Sequence, residues 1–166
     1  ESAEKRLDEV LRAWFVFPRT KDREGVELAG LAGSAANDQG SDWLLLRLKD
    51  SKSSTRPAEP LLLRRDHVQV GERVFLIGVP YSENDRAQNV YLGKVTKRER
   101  GDRFRYDLDP PVDLRGFSGA PIIDVRGQVV GVMTVWFDPK MRGKLYLEAG
   151  AEDAASVYRR LEAATP

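Results

Sequence analysis

The chain has no cysteine and only one histidine, His67, among its 166 residues. The lack of cysteine excludes disulfide bonds, catalytic thiolates and metal sites with cysteine ligands. A single histidine excludes metal sites built from several imidazoles. No apolar run approaches the roughly 20 residues that cross a bilayer as a helix. We therefore expect no metal, no cofactor and no membrane partner.

The chain also lacks an excess of positive charge. Its 27 lysines and arginines are nearly balanced by 26 aspartates and glutamates, which leaves a net charge of +1. A dedicated nucleic-acid-binding domain needs a clear basic surplus. Six basic residues do cluster on one hairpin: Lys94, Lys97, Arg98, Arg100, Arg103 and Arg105. Glu99 and Asp102 interleave with them, which favours a solvated hairpin surface over a nucleic-acid face. We expect no nucleic-acid partner.

What is present is an ordinary globular balance, with 41% hydrophobic and 32% charged residues. The length suits one domain, or one domain built from two small lobes. Residues 49–60 are polar and include two prolines, so they indicate a surface connection between lobes. We predict a first lobe over residues 1–60, a second over 61–150 and a terminal segment over 151–166.

Helices are predicted only near the two ends, over residues 1–13 and 151–163, where apolar residues recur at helical spacing. In the second helix we expect Ala155, Val157, Tyr158 and Leu161 to face the core. Short apolar or alternating segments between the helices predict strands. They cover residues 14–17, 26–31, 42–48, 61–63, 73–79, 89–96, 103–108, 122–124, 128–137 and 144–148. This pattern predicts an all-β antiparallel barrel or sandwich.

One segment carries chemistry: residues 116–121 read Gly-Phe-Ser-Gly-Ala-Pro, and we call them the serine turn. A serine between two glycines lies on a tight turn whose backbone adopts conformations closed to other residues. Such a turn can present the Ser118 hydroxyl outward and direct successive N–H groups at one point, as an oxyanion hole requires. Pro121 lacks an N–H and suits the start of an edge strand.

Two nucleophile motifs are candidates for this turn. The G-x-S-x-G elbow of the α/β-hydrolases requires a glycine where Ala120 stands, a helix after it, and a histidine later in the chain. Here a strand follows instead, and His67 precedes the serine. The second motif, G-x-S-G-x-P, is matched in full.

On this motif and two others, the sequence resembles the trypsin-like (chymotrypsin-fold) serine peptidases, especially their bacterial Deg-type branch. Residues 42–48 are similar to the family's strand that begins with the triad aspartate. Residues 70–80 are similar to the strand that opens its second barrel. The resemblance extends over residues 14–134 and places the three motifs in the family's order.

The resemblance implies two antiparallel β-barrels with a C-terminal α-helix, and a peptide or protein as substrate. Ser118 would be the nucleophile, the N–H groups of Gly116 and Ser118 would form the oxyanion hole, and Asp42 would orient the general base. By the same analogy the walls of the substrate pocket would include Asp113, Thr134 and Trp136. Phe117 stands where animal-type members carry an acidic residue that binds a freed N-terminus, so that activation route is not expected.

The chain departs from the family at the histidine, because none precedes Asp42. We therefore expect an incomplete first barrel, with the histidine supplied by an upstream segment or a partner chain, or a degenerate relative. His67 is expected on an exposed loop away from the cleft; a rewired base is the alternative. Two functions stay open: a serine endopeptidase that is inactive as this chain, and a non-catalytic, protease-like binding module.

Overall fold

The structure, a computed structural model, describes residues 3–13, 15–16, 25–32, 44–49, 60–80, 88–137 and 147–164. The chain divides into two compact units. The first comprises residues 1–60 with 160–166, and the second comprises residues 61–159.

The first unit contains a short helix and a small antiparallel sheet. Helix α1 spans Ala3–Leu11, and the strands are β1 (Phe15–Val16), β2 (Val26–Leu31) and β3 (Leu46–Leu48). The sheet order among the described residues is β1-β2-β3. Its core consists of Leu11, Leu28 and Leu31, with Leu7 packed against them.

The second unit is a closed barrel of six antiparallel strands, which surrounds the main hydrophobic core. In chain order they are β4 (Arg73–Gly78), β5 (Asn89–Glu99), β6 (Arg103–Leu108), β7 (Pro121–Ile123), β8 (Val129–Phe137) and β9 (Leu147–Asp153). Around the barrel they run β4-β5-β6-β9-β8-β7. Inward and outward residues alternate along β4, where Val74 and Leu76 are fully buried, because successive side chains of a strand point to opposite faces.

The expected all-β fold with a closed second barrel and a C-terminal helix is confirmed, and some boundaries are corrected. Residues 61–63 do not form a strand, since Leu63 makes only one isolated parallel bridge, to Val129. β9 continues to Asp153, where we expected a helix from residue 151, because residues 151–153 pair with β8. Helix α2 therefore spans Ala154–Ala164.

The expected inner face of α2 is right in part. Ala155 and Val157 are buried, but Leu161 is 43% exposed. Tyr158 is half-buried, and the Arg65 guanidinium lies 4.8 Å from its ring centroid as a cation–π contact. The buried stripe of α2 is thus limited to its first turns, which follow directly from the barrel strand β9.

Candidate active site

The serine turn has the left-handed backbone that its glycines predict. Gly116 has φ +97° and Gly119 has φ +85°, values that residues with a Cβ rarely adopt. The turn is fastened to β8 by two backbone hydrogen bonds: the Gly119 N–H donates to the Met133 carbonyl at 2.9 Å, and the Met133 N–H donates to the Ala120 carbonyl at 2.8 Å. Ser118 is exposed at its tip. Local turn geometry and one barrel strand together therefore hold the serine outward.

Two backbone donors at this turn have no acceptor among the described residues. Within the described part of the chain, neither the Gly116 N–H nor the Ser118 N–H donates to a protein acceptor, and the Ser118 hydroxyl also has no partner. By contrast, the Phe117 N–H donates to the Leu114 carbonyl at 3.2 Å, and the Ala120 N–H to the Phe117 carbonyl at 2.8 Å. The turn thus offers an exposed hydroxyl flanked by uncommitted N–H groups, which suits an oxyanion site.

Asp113, a predicted pocket residue, is engaged by a neighbour that the sequence reasoning did not consider. Its carboxylate accepts the Arg115 N–H at 3.1 Å and the Arg115 Nε–H at 2.9 Å, and it also pairs with Nη2. The Arg115 side chain and then its backbone N–H lower the pKa of Asp113 to about 2. An aspartate so occupied at the surface is poorly suited to binding a basic substrate side chain.

The other predicted site residues have different positions. Thr134 is buried on β8, next to Met133, which anchors the serine turn, and it pairs with Gly150 of β9. Trp136 also lies on β8, where its backbone pairs with Glu148. Asp42 lies outside the described residues. Through the hydrogen bonds of Gly119 and Ala120 to Met133, the structure places the serine turn beside the strand segment that contains Thr134.

A cavity of about 800 Å³ opens beside the loop that leads into the turn. Its apolar lining includes Leu108, Val112, Leu114 and Ala149, and Tyr106 also contributes. Four charged residues line it as well: Lys97, Arg105, Asp107 and Asp109. The Tyr106 hydroxyl is buried and has no hydrogen-bond partner in the described structure. Burial raises the pKa of Tyr106 well above its ordinary value, so the hydroxyl stays protonated. The cavity thus combines apolar surface with two basic and two acidic side chains.

His67 is on a loop, as expected, but it is not a freely exposed side chain. Its Nδ1 lies 3.0 Å from the fully buried carboxylate of Asp153 and 3.3 Å from Arg98 Nη2. Its Nε2 lies 3.3 Å from Arg159 Nη1. Arg159 Nη2 in turn donates a hydrogen bond of 2.5 Å to Asp102 Oδ2. These partners come from β5, β9, α2 and the β5–β6 turn, and Ser118 is not among them.

The loop that carries His67 is fixed by a second set of ion pairs. Arg64 binds Glu72 through two hydrogen bonds of 2.6 and 3.0 Å, and its Nη2 donates to the His67 carbonyl at 3.2 Å. The bond from Arg64 lowers the pKa of Glu72, although burial opposes this. The same arginine lies 3.7 Å from Asp124. His67 is thus held from both its backbone and its ring.

In the ranges that the structure describes, no three histidine, aspartate or glutamate side chains cluster as metal ligands would. Those ranges also contain no helix long and apolar enough to span a bilayer.

The comparison with known families decides the assignment. A model of the trypsin-like peptidase domain matches residues 4–132, well over half of the chain. The chain belongs to this trypsin-like peptidase family. No curated protein matches the chain in sequence.

Solved structures show the same fold at low identity. Neuropsin from mouse brain shares 14% identity at a TM-score of 0.62, over 86% of this chain and 73% of its own. The inactive form of the Rv3671c protease of M. tuberculosis shares 18% at 0.53, over 86% and 69%. The serine endoprotease of Yersinia pestis shares 20% at 0.56, over 87% and 46%. The barrel is therefore chymotrypsin-like.

The sequence did not predict three features near the serine turn: the pairing of Arg115 with Asp113, the unpartnered hydroxyl of Tyr106 in the described structure, and the burial of the Phe117 ring. The spacing Asp113-x-Arg115 could have indicated the first, since an aspartate readily accepts the N–H two residues on. Tyr106 lies two residues after Phe104 on a predicted strand, and therefore on the same face, which indicates burial but not an unpartnered hydroxyl. The environment of Phe117 depends on distant strands and had no local signal.

Proposed function

We propose that this chain is the catalytic portion of a serine endopeptidase in which Ser118 attacks the scissile carbonyl. The observation that carries the proposal is the serine turn: an exposed hydroxyl beside the uncommitted N–H groups of Gly116 and Ser118. The family match supports it. The narrower assignment to the bacterial Deg-type branch belongs to the same proposal and is supported by residues 70–80 and the Yersinia likeness.

The proposed chemistry is acyl transfer. A histidine would take the proton of the Ser118 hydroxyl as the oxygen bonds to the carbonyl carbon, and the N–H groups of Gly116 and Ser118 would stabilise the oxyanion. The same histidine would return the proton to the leaving amine, and water would then release the acyl group by the reverse roles. Asp42 would hold the imidazole in the required tautomer.

We propose that this histidine comes from outside the 166 residues. The single histidine of the chain, His67, is occupied by Asp153, Arg98 and Arg159. If these contacts persist, His67 does not serve Ser118, and the 166-residue chain retains only the residual acceleration that the oxyanion hole and substrate binding supply, about 10³–10⁴ over water.

The cavity beside the turn is the proposed site for a substrate side chain. Its apolar residues, and a charged lining in which Lys97 and Arg105 balance Asp107 and Asp109, favour a group without net charge. Asp113 is tied to Arg115, which argues against a lysine or arginine specificity based on that carboxylate. Peptides that differ only in the side chain before the scissile bond test this point.

The first experiment uses the 166-residue chain with a fluorophosphonate probe and added imidazole. Imidazole can replace a missing base, so it should accelerate labelling of wild-type protein. Ser118→Ala should abolish labelling, and His67→Ala, the matched control, should leave it unchanged. Robust labelling without imidazole that survives His67→Ala but not Ser118→Ala would contradict the missing-base proposal.

A longer natural form that carries an upstream histidine provides the second experiment. It should hydrolyse peptides, and Asp42→Asn should slow turnover by about 10⁴ because the imidazole loses its orientation and tautomer. If His67→Ala abolishes turnover while Asp42→Asn retains it, the residue roles proposed above are wrong.

The engagement of His67 also supports a second candidate, a non-catalytic, protease-like module that binds a peptide at the serine turn and the cavity beside it. A folded longer form that carries the histidine, binds peptides and hydrolyses none would establish this function instead.

A further inference from the structure

Exposure alternates sharply along the serine turn. Gly116, Ser118 and Gly119 are exposed, whereas Phe117 between them is 1% exposed and belongs to the core of the barrel. These residues are adjacent on one short turn, so a rotation of the backbone that moved the Phe117 ring would also move Ser118. The outward position of Ser118 is thus coupled to the inward position of the ring.

The ring of Phe117 packs against residues of two strands that are distant in the sequence, β4 and β5. A Cβ added at Gly78 on β4 would lie 2.7 Å from its Cδ1 and 2.9 Å from its Cε1, closer than carbon atoms approach. Gly78 is not among the glycines with positive φ, so the missing side chain is the reason for this glycine. On β5, the Tyr91 ring meets Phe117 edge to face, with centroids 5.3 Å apart and planes at 86°.

Both backbone polar groups of Phe117 are fastened as well. Its N–H donates to Leu114, and its carbonyl accepts from Ala120, which is in turn bonded to Met133 of β8. The peptide unit that follows Phe117 carries its carbonyl and the Ser118 N–H, and the unit that precedes it joins it to Gly116, whose own N–H lies one peptide unit further back. A movement of the ring therefore acts on the Ser118 N–H through one peptide unit and on the Gly116 N–H through the Gly116 backbone.

We infer that Phe117 is a positioning residue: its ring, seated against Gly78 and Tyr91, sets the conformation in which the turn presents Ser118 and the oxyanion donors. This inference rests on the proposed function. The residue makes no contact with substrate in this scheme. It acts through its neighbours in the turn, and the anchor is apolar burial rather than an ion pair.

A size-complementation experiment tests the inference. Gly78→Ala introduces the methyl group that the ring excludes, so the turn must shift. A displacement of about 1 Å at a reacting group costs about 10²-fold in rate. In the form of the protein that hydrolyses peptides, kcat and kcat/KM should fall together by about that factor, because the lost interactions belong to the transition state. Phe117→Leu in the Gly78→Ala background removes the clash and should restore most of the rate.

Gly131→Ala is the matched control. A Cβ there would lie 2.7 Å from Cε1 of the buried Phe104 and 2.9 Å from the Glu152 carbonyl oxygen, so it overpacks the same barrel at least as severely. This variant should lose stability, and its loss of kcat should be clearly smaller than that of Gly78→Ala, because Gly131 pairs with Ile122 next to the serine turn but does not touch the Phe117 ring. If Gly131→Ala lowers kcat as much as Gly78→Ala, or if the double variant recovers nothing, general overpacking explains the loss and the inference is wrong.

Amide hydrogen exchange in the 166-residue chain separates this inference from the proposed function. Gly78→Ala should accelerate exchange at Gly119 and Ala120 relative to the Val95 amide, which bonds to Glu72 elsewhere in the barrel. The double variant should reverse the change. Phe117→Leu alone, which folds without overpacking, should accelerate the same two amides. If the exchange pattern is found but no form of the protein hydrolyses peptides, the positioning role of Phe117 is supported and the proposed peptidase function is wrong. If peptides are hydrolysed but the exchange pattern is not found, the peptidase function is supported and the positioning role is wrong.

Discussion

Asp124 closes the turn between β7 and β8, and Asp124→Asn tests how much that turn contributes to stability. The side chain is 4% exposed. Its Oδ1 accepts the N–H groups of Arg126 at 2.8 Å and Gln128 at 3.0 Å. Its Oδ2 faces two guanidinium groups, those of Arg126 at 3.1 Å and Arg64 at 3.7 Å.

Asparagine keeps the Oδ1 acceptor but directs an NH₂ donor at two cations. Hydrogen bonds to a charged group contribute about 1.5–3 kcal/mol. The Arg126 side chain is 66% exposed, so water screens its share, and Arg64 retains Glu72. We therefore expect the free energy of unfolding to fall by about 2 kcal/mol, which lowers Tm by about 4–8 °C for a chain of this size. Urea unfolding measures the difference directly.

The pH dependence gives the prediction a second test. Burial by itself raises the pKa of Asp124, but the N–H donors of Gln128 and Arg126 and the Arg126 side chain outweigh it, so the pKa lies below 3.8. The stability that the carboxylate contributes is thus present above the unfolded pKa and lost as pH falls through the folded one. The difference between wild type and Asp124→Asn should be constant from about pH 7 to about pH 5 and shrink in stronger acid.

Asp113→Asn is the control, because Asp113 has the same relation to Arg115 that Asp124 has to Arg126 but is exposed. It should leave stability unchanged within the error of urea unfolding. Equal losses for the two variants would show that burial is not the source. A difference for Asp124→Asn that grows in acid would refute the assigned direction of the pKa.

Three further predictions concern the buried polar groups Tyr106 and Asp153 and the three-stranded sheet β1-β2-β3. Tyr106→Phe should leave thermal stability unchanged or raise it by up to about 1 kcal/mol, because the hydroxyl is buried without a described partner; a larger loss would reveal a partner. Asp153→Ala should cost about 3–5 kcal/mol in urea unfolding, since it leaves Arg98 and His67 without their buried carboxylate; a loss under about 1 kcal/mol would contradict this. Amide exchange should be faster across β2 and β3 than across β4 and β8. Among the described residues the former belong to a sheet of three strands with exposed Leu46 and Leu48, whereas the latter belong to the closed barrel; equal protection in a monomer would contradict this prediction.

The part of the fold that the sequence determined rests on local patterns. Alternation along β4 and the short apolar runs elsewhere predict strands, because a strand that lines a core must bury every second side chain. The serine turn was predictable for a similar reason: Gly116 and Gly119 adopt positive φ, and this depends on the residue type itself. The all-β class and the candidate nucleophile therefore followed from sequence.

Tertiary structure decided which distant side chains meet. β9 extends to Asp153 because residues 151–153 pair with β8. The sequence of these three residues does not indicate that pairing, since it depends on a strand about 20 residues earlier in the chain. His67 contacts Asp153 and Arg159, and Phe117 fits against Gly78, only because the barrel closes these segments onto one another. Such contacts depend on the register of strands far apart in the chain, whereas local patterns depend on neighbours alone. That is why the sequence predicted the turn, but only the folded barrel explains what holds it.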